Sequence, residues 1–195
     1  DIAFVAEGEP DFLLADAAWR NERRHLALDL LTGRVNSAHV LHDWLIEHGF
    51  SPLDLKWFIR NPAEFDILGA DYYRHTEVEL YASETGECKQ RMPACQAGLA
   101  VAARGYWERY QKPMLIAETS VTGNEADRIE WLNLTVSQVR QLRQEGVPVL
   151  GYYWWPAIDH LDWDGAMLHR TGHIHPAGLY RLQRDTNGDL KRIET

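Results

Sequence analysis

PMLIAETS, residues 113–120, is a short apolar run opened by a proline and followed at once by a carboxylate, Glu118. Continuous apolar residues of this length suit a strand covered on both faces. A charge at the end of such a strand is either a solvated group paired with an arginine or one held there for chemistry. The flanking segments show what surrounds it. Upstream, residues 94–110 carry Leu99, Val101, Tyr106, Trp107 and Tyr110 at helical spacing. Downstream, Ile129, Leu132, Val136, Val139 and Leu142 recur at steps of three and four across 125–145, and Gly146 ends that helix. VPVLGYYWW, 147–155, is then another strand.

The same alternation extends towards the amino terminus. IAFVA, 2–6, reads as a buried strand, followed by helices over 17–31, 40–49 and 51–62. The third helix has Ser51 as cap and Pro52 at its first position, the usual start signal. FDILGADYY, 65–73, is a further strand, and 74–93 reads as a polar loop. Strands separated by helices imply parallel crossovers, hence an α/β class. Glu7, Glu9, Asp71 to Tyr73, Glu118 and the residues from Trp154 onward all fall at carboxyl ends of strands, with no glycine-rich phosphate loop after any of them. A (β/α) barrel is therefore expected over a doubly wound sheet, and no linker divides residues 1–195, which read as a single domain or fragment.

Bulk composition narrows the partners. The chain has 45% hydrophobic residues, enough for a core, and a formal charge of -9 from scattered acids and bases. That leaves no basic footprint for nucleic acid. No run of eighteen apolar residues suggests a membrane span, and no export signal is visible. Cys88 and Cys95 fit neither a disulfide framework nor a zinc site, so a reducing, cytoplasmic setting is expected. His173 and His175 lack the further spaced ligands of a metal motif, and neither a metal nor a cofactor is expected.

Eight Trp and eight Tyr are many for 195 residues, and several follow apolar runs, where aromatic-lined sugar clefts keep them. The segment WWPAIDHLDWDGA mixes such rings with Asp159 and Asp162, which can accept hydrogen bonds from sugar hydroxyls. A carboxylate at a barrel mouth among aromatic and hydroxyl groups is what glycoside hydrolysis uses. In retaining enzymes its partner acid lies about 5 Å away.

At these residues the chain resembles glycoside hydrolase family 1, the β-glucosidase-like retaining enzymes with a (β/α)8 barrel. ILGADYY, 67–73, resembles the family's sixth strand, usually ending Gly-x-Asn-Tyr-Tyr. The likeness makes Tyr73 the tyrosine that hydrogen-bonds the nucleophile, with Asp71, in place of an asparagine, as a substrate-binding residue. LIAETS, 115–120, resembles the seventh strand, usually ending Thr-Glu-Asn-Gly, and puts Glu118 on the nucleophile. GYYWWPAIDHLDW, 151–163, is similar to the eighth strand and the loop after it, with Trp155 as the platform tryptophan. Asp162 and Trp163 match the Glu-Trp pair that holds the sugar's distal hydroxyls, and His160 stands where the family has asparagine, in reach of substrate. Trp155-Pro156 replaces a Trp-Ser bond that the family holds in cis, so a cis peptide is expected there.

The family's acid/base lies in an Asn-Glu-Pro motif after the fourth strand, and Gly8-Glu9-Pro10 invites the comparison. Only helices separate Pro10 from the sixth-strand motif, so the first strand reads as the fifth and the acid falls before Asp1. On this reading the chain corresponds to strands five to eight, the carboxyl half of a barrel, without a final helix after DLKRIET. It is expected to be inactive or nearly so by itself, and to associate with itself or with a missing barrel half. Two other readings fit the same residues: a non-catalytic barrel that binds carbohydrate or a partner chain, and a retaining hydrolase of another family in the same barrel clan.

Overall fold

The computed structural model describes residues 3–93, 98–165 and 167–194. Cys95 lies outside them. The described residues fall into two compact units, one within residues 1–66 and 75–98, the other within 67–74 and 99–195.

The first unit opens with strand β1 (Ala3–Val5), followed by helices α1 (Asp11–Leu31), α2 (His42–Glu47) and α3 (Pro52–Arg60). Helix α1 starts six residues before its expected position, because Pro10 supplies the entry and Asp11 the first-turn acid. Helix α3 begins as its sequence foretells, with a reciprocal capping box between Ser51 and Asp54. The segment expected to be a polar loop instead contains β3 (Glu77–Ala82) and β4 (Cys88–Arg91). They form a hairpin, and β3 pairs in parallel with β1. Asn21 on α1 closes the other edge of β1, its amide bonding both the Phe4 N–H and the Phe4 carbonyl at 2.8 Å. Ala6, Leu13, Ala17 and Leu80 pack between this sheet and α1, while Val35, Leu45 and Leu55 gather the three helices.

The second unit is built on β2 (Leu68–Asp71), β5 (Met114–Thr119) and β6 (Val149–Trp154), which form one parallel sheet in the order β2-β5-β6. Helix α4 (Gly98–Tyr110) precedes β5, and α5 (Glu125–Gln144) crosses from β5 to β6. Three of the four expected barrel strands are thus neighbours in the expected order. The fourth, β1, pairs with β3 in the first unit, and the described residues form no closed barrel. Helix α5 starts at an Asn124–Asp127 capping box and is followed by Gly146 at φ 90°, a backbone region that favours glycine. Leu99, Met114, Ile116, Leu142 and Val149 fill the core of this unit. After β6 the chain forms two short antiparallel pairs, β7 (His160–Leu161) with β8 (Ile174–His175), and β9 (Tyr180–Arg184) with β10 (Leu190–Glu194). No helix among the described residues is long and apolar enough to cross a membrane.

Candidate active site

The carboxyl ends of β2, β5 and β6 converge on Glu118. It lies one residue before the end of β5, half-buried, and directly opposite Asp71 in the β2–β5 ladder. A register shift between Ala70 and Asp71 sets this pairing, and the Tyr72 N–H donates to the Glu118 carbonyl at 2.9 Å. Alternation along the extended chain then returns Tyr73 to the Asp71 side of the sheet. The Tyr73 hydroxyl donates to Glu118 Oε2 at 2.8 Å. Burial, helped by that bond, pushes the phenol's pKa well up, so it stays a neutral donor. Asp71 is also raised, first by desolvation and then by the charge of Glu118.

The next residue, Thr119, is completely buried and fastens the strand end. Its hydroxyl accepts the Trp131 indole N–H at 3.0 Å, and its carbonyl accepts the Trp155 N–H at 3.1 Å. Trp131 in turn lies parallel to Tyr72, with ring centroids 5.5 Å apart. Sequence reasoning noticed Thr119 only as a neighbour of Glu118 and missed Trp131. The stripe read from the sequence did not point to it, since Ile129 of that stripe is exposed whereas Trp131 is buried.

Beyond β6 the Trp155–Pro156 peptide is cis, as expected. Trp155, His160 and Trp163 form one cluster of rings. His160 lies 4.8 Å from Trp163 in a stacked arrangement and 4.4 Å from Trp155, and the two indoles meet at 5.0 Å nearly edge to face. Burial, then the neighbouring His175, lowers the His160 pKa, so the imidazole favours its neutral form. Its Nε2 is buried without a hydrogen-bond partner.

The two aspartates expected to meet sugar hydroxyls are placed differently. Asp159 is only 5% exposed. Its Oδ1 accepts the amides of Ala177 and Gly178, at 3.1 and 2.8 Å, and its Oδ2 accepts that of Leu182 at 3.0 Å. Arg128 stands 3.6 Å from Oδ1. A carboxylate so occupied anchors the segment leading into β9, which corrects its reading as a sugar contact. Asp162, at φ 53°, uses Oδ1 to accept the Thr171 hydroxyl and the backbone N–H groups of Thr171 and His173. These donors hold its carboxyl below the usual range, the Thr171 hydroxyl most strongly, and tie residue 162 to residues 171 and 173.

Asp164 bonds His173 at 2.9 Å and lies 3.6 Å from His175, whose other nitrogen meets Thr122. Among the described residues no group of three or more His, Cys, Asp or Glu side chains is arranged to hold a metal ion. Glu9, weighed as a possible acid, accepts the Ala82 N–H at 2.9 Å within the first unit.

Residues 71–187, more than half of the chain, match the family model described as Glycosyl hydrolase family 1. The chain belongs to that family. Two curated relatives are a phospho-cellobiase of Klebsiella oxytoca, 34% identical over 103 residues, and the aryl-phospho-β-D-glucosidase BglC of Bacillus subtilis, 28% identical over 106. These alignments take in 47% and 50% of this chain and 21% of each relative. The family 1 β-glucosidase of Thermotoga maritima, solved with glucoimidazole, superposes with a TM-score of 0.76 at 17% identity, over 100% of this chain and 47% of that one. The same enzyme in another structure gives 0.77 at 16%, over 99% and 46%. The family 1 chain therefore shares its fold with about half the length of each of these enzymes.

Proposed function

We propose that this family 1 chain carries the nucleophile side of a retaining β-glycosidase and corresponds to strands five to eight of its barrel. Glu118 attacks the anomeric carbon, forming an ester bond to C1 as the bond from C1 to the leaving oxygen breaks. A carboxylic acid outside the chain protonates that oxygen, and water, activated by the same group, later releases the sugar with retention. Tyr73 orients Glu118. The rings of Trp155, His160 and Trp163 offer apolar surface for a sugar face, and Asp162, beside Trp163 in the chain, is the carboxylate proposed to meet a sugar hydroxyl. Both curated relatives are named for phosphorylated β-glucosides, and a β-glucoside is the substrate class proposed here. The exposed free thiol of Cys88 supports a reducing, cytoplasmic setting.

The observation that carries this reading is the 2.8 Å bond from Tyr73 to Glu118 at the ends of adjacent strands. A phenol donor on one oxygen favours the ionised carboxylate and leaves the other oxygen for attack. The test is trapping with 2,4-dinitrophenyl 2-deoxy-2-fluoro-β-glucoside, with and without a 6-phosphate. Its leaving group departs as a stable anion and needs no protonation, so the acid is not required for the first step. Peptide mapping by mass spectrometry is expected to find the sugar on Glu118 and none in Glu118→Gln. Reversible binding without a covalent label would instead support a carbohydrate-binding module.

A further inference from the structure

The period of two along β5 breaks at the candidate nucleophile. Met114 and Ile116 are fully buried, and regular alternation would bury residue 118 next. Instead Thr119 is fully buried, while Ala117 and Glu118 are both partly exposed. The ladders account for this. From Ile116 to Glu118 strand β5 advances two residues against the single step from Ala70 to Asp71, and from Ile116 to Thr119 three against the two from Tyr152 to Trp154. One extra residue on β5 against both neighbours is a β-bulge, which re-aims a side chain. Regular pairing would turn residue 118 towards the side of Met114 and Ile116. The bulge turns Glu118 away from that side and gives the place to Thr119.

We infer that Trp131 is a positioning residue, which locks this bulge and so holds Glu118 in the direction of its attack. This rests on Glu118 being the nucleophile. A bulge interrupts the ladder, so its shape depends on what fastens its flanks. The Glu118 carbonyl accepts the Tyr72 N–H at 2.9 Å from β2, and the Thr119 carbonyl accepts the Trp155 N–H at 3.1 Å beyond β6. Those are backbone bonds, open to any sequence. Trp131 on α5 adds the side-chain part. Its Nε1–H donates to Thr119 Oγ1 at 3.0 Å, and its ring lies within 8° of parallel to Tyr72. Both Trp131 and Thr119 are buried, so breaking their bond leaves a donor without water. One indole thus holds the residue after Glu118 and the residue before Tyr73, whose hydroxyl bonds Glu118 at 2.8 Å. Loosening that hold misplaces the attacking oxygen, which lowers the rate of attack more than the affinity for sugar.

The test is labelling of Glu118 by the same activated fluoroglycoside, with the rate constant at saturating reagent read separately from the concentration giving half-maximal rate. Trp131→Phe keeps a ring beside Tyr72 and removes the N–H. Thr119→Val keeps the shape of the residue and removes the acceptor. Each is expected to lower the saturating rate constant by about tenfold or more, and to change the half-maximal concentration by less than about twofold. The double variant is expected to be no slower than the slower single one, because both changes remove the same bond. Thr119→Ser, which restores the hydroxyl, is expected to recover most of the rate lost in Thr119→Val. A residue that only adds stability lowers the urea midpoint and leaves the rate constant of the folded protein alone. Unchanged saturating rate constants in the single variants, losses that multiply in the double variant, or no recovery in Thr119→Ser overturn the inference while Glu118 still labels. If Trp131→Phe does not fold, the comparison of Val with Ser at 119 decides. A wild-type chain in which Glu118 never labels overturns the proposed function, and this inference with it.

Discussion

Tyr73 and Glu118 are joined by one hydrogen bond between a buried-edge phenol and a carboxylate. Because the phenol is held far above working pH, the bond does not switch with acidity. Tyr73→Phe removes the donor and leaves the ring. Labelling of Glu118 is expected to slow by about 10- to 100-fold, the range for a hydrogen bond to a charged group, with little change in the concentration of reagent giving half-maximal rate. An unchanged rate constant would mean that the tyrosine merely fills space. Glu118 stood out in the sequence because it closes an apolar run, whereas Tyr73 was named through the likeness of ILGADYY to the family's sixth strand. The anchoring role of Asp159 was not legible. Its four partners are Arg128 and the amides of residues 177, 178 and 182, and no local pattern announces contacts made so far along the chain.

At the scale of elements, the helices and the three parallel strands follow from periodicity, caps and glycine stops. The β3–β4 hairpin escaped that reading because β4 is exposed at every position, although EVEL in β3 carries the alternation of a half-buried strand. The segment after β6 is likewise held by polar ties. Arg128 on α5 donates to the Gly178 carbonyl at 3.1 Å and faces the buried Asp159. Arg128→Ala leaves that carboxylate buried without its counter-charge and is expected to cost about 3 kcal/mol, read from urea unfolding. A loss below about 1 kcal/mol would show that the three amides alone satisfy Asp159.

For the whole molecule, the second unit ends its parallel sheet at β6, whose outer edge pairs with no strand among the described residues. Leu150 and Tyr153 on that strand are 53% and 57% exposed. An open apolar edge is a template for another strand. The family 1 chain is expected to self-associate as its concentration rises, and Tyr153→Lys to reduce that association in light scattering. Equal association by both would place the contact elsewhere.

The Thr119 clasp gives the molecule a magnetic-resonance reporter of its own. A Trp131 indole proton held by a buried hydroxyl should give a resonance that exchanges slowly with deuterium. Its residue partner is the immediate neighbour of Glu118, so this one line records whether the strand end keeps its shape while a sugar comes and goes.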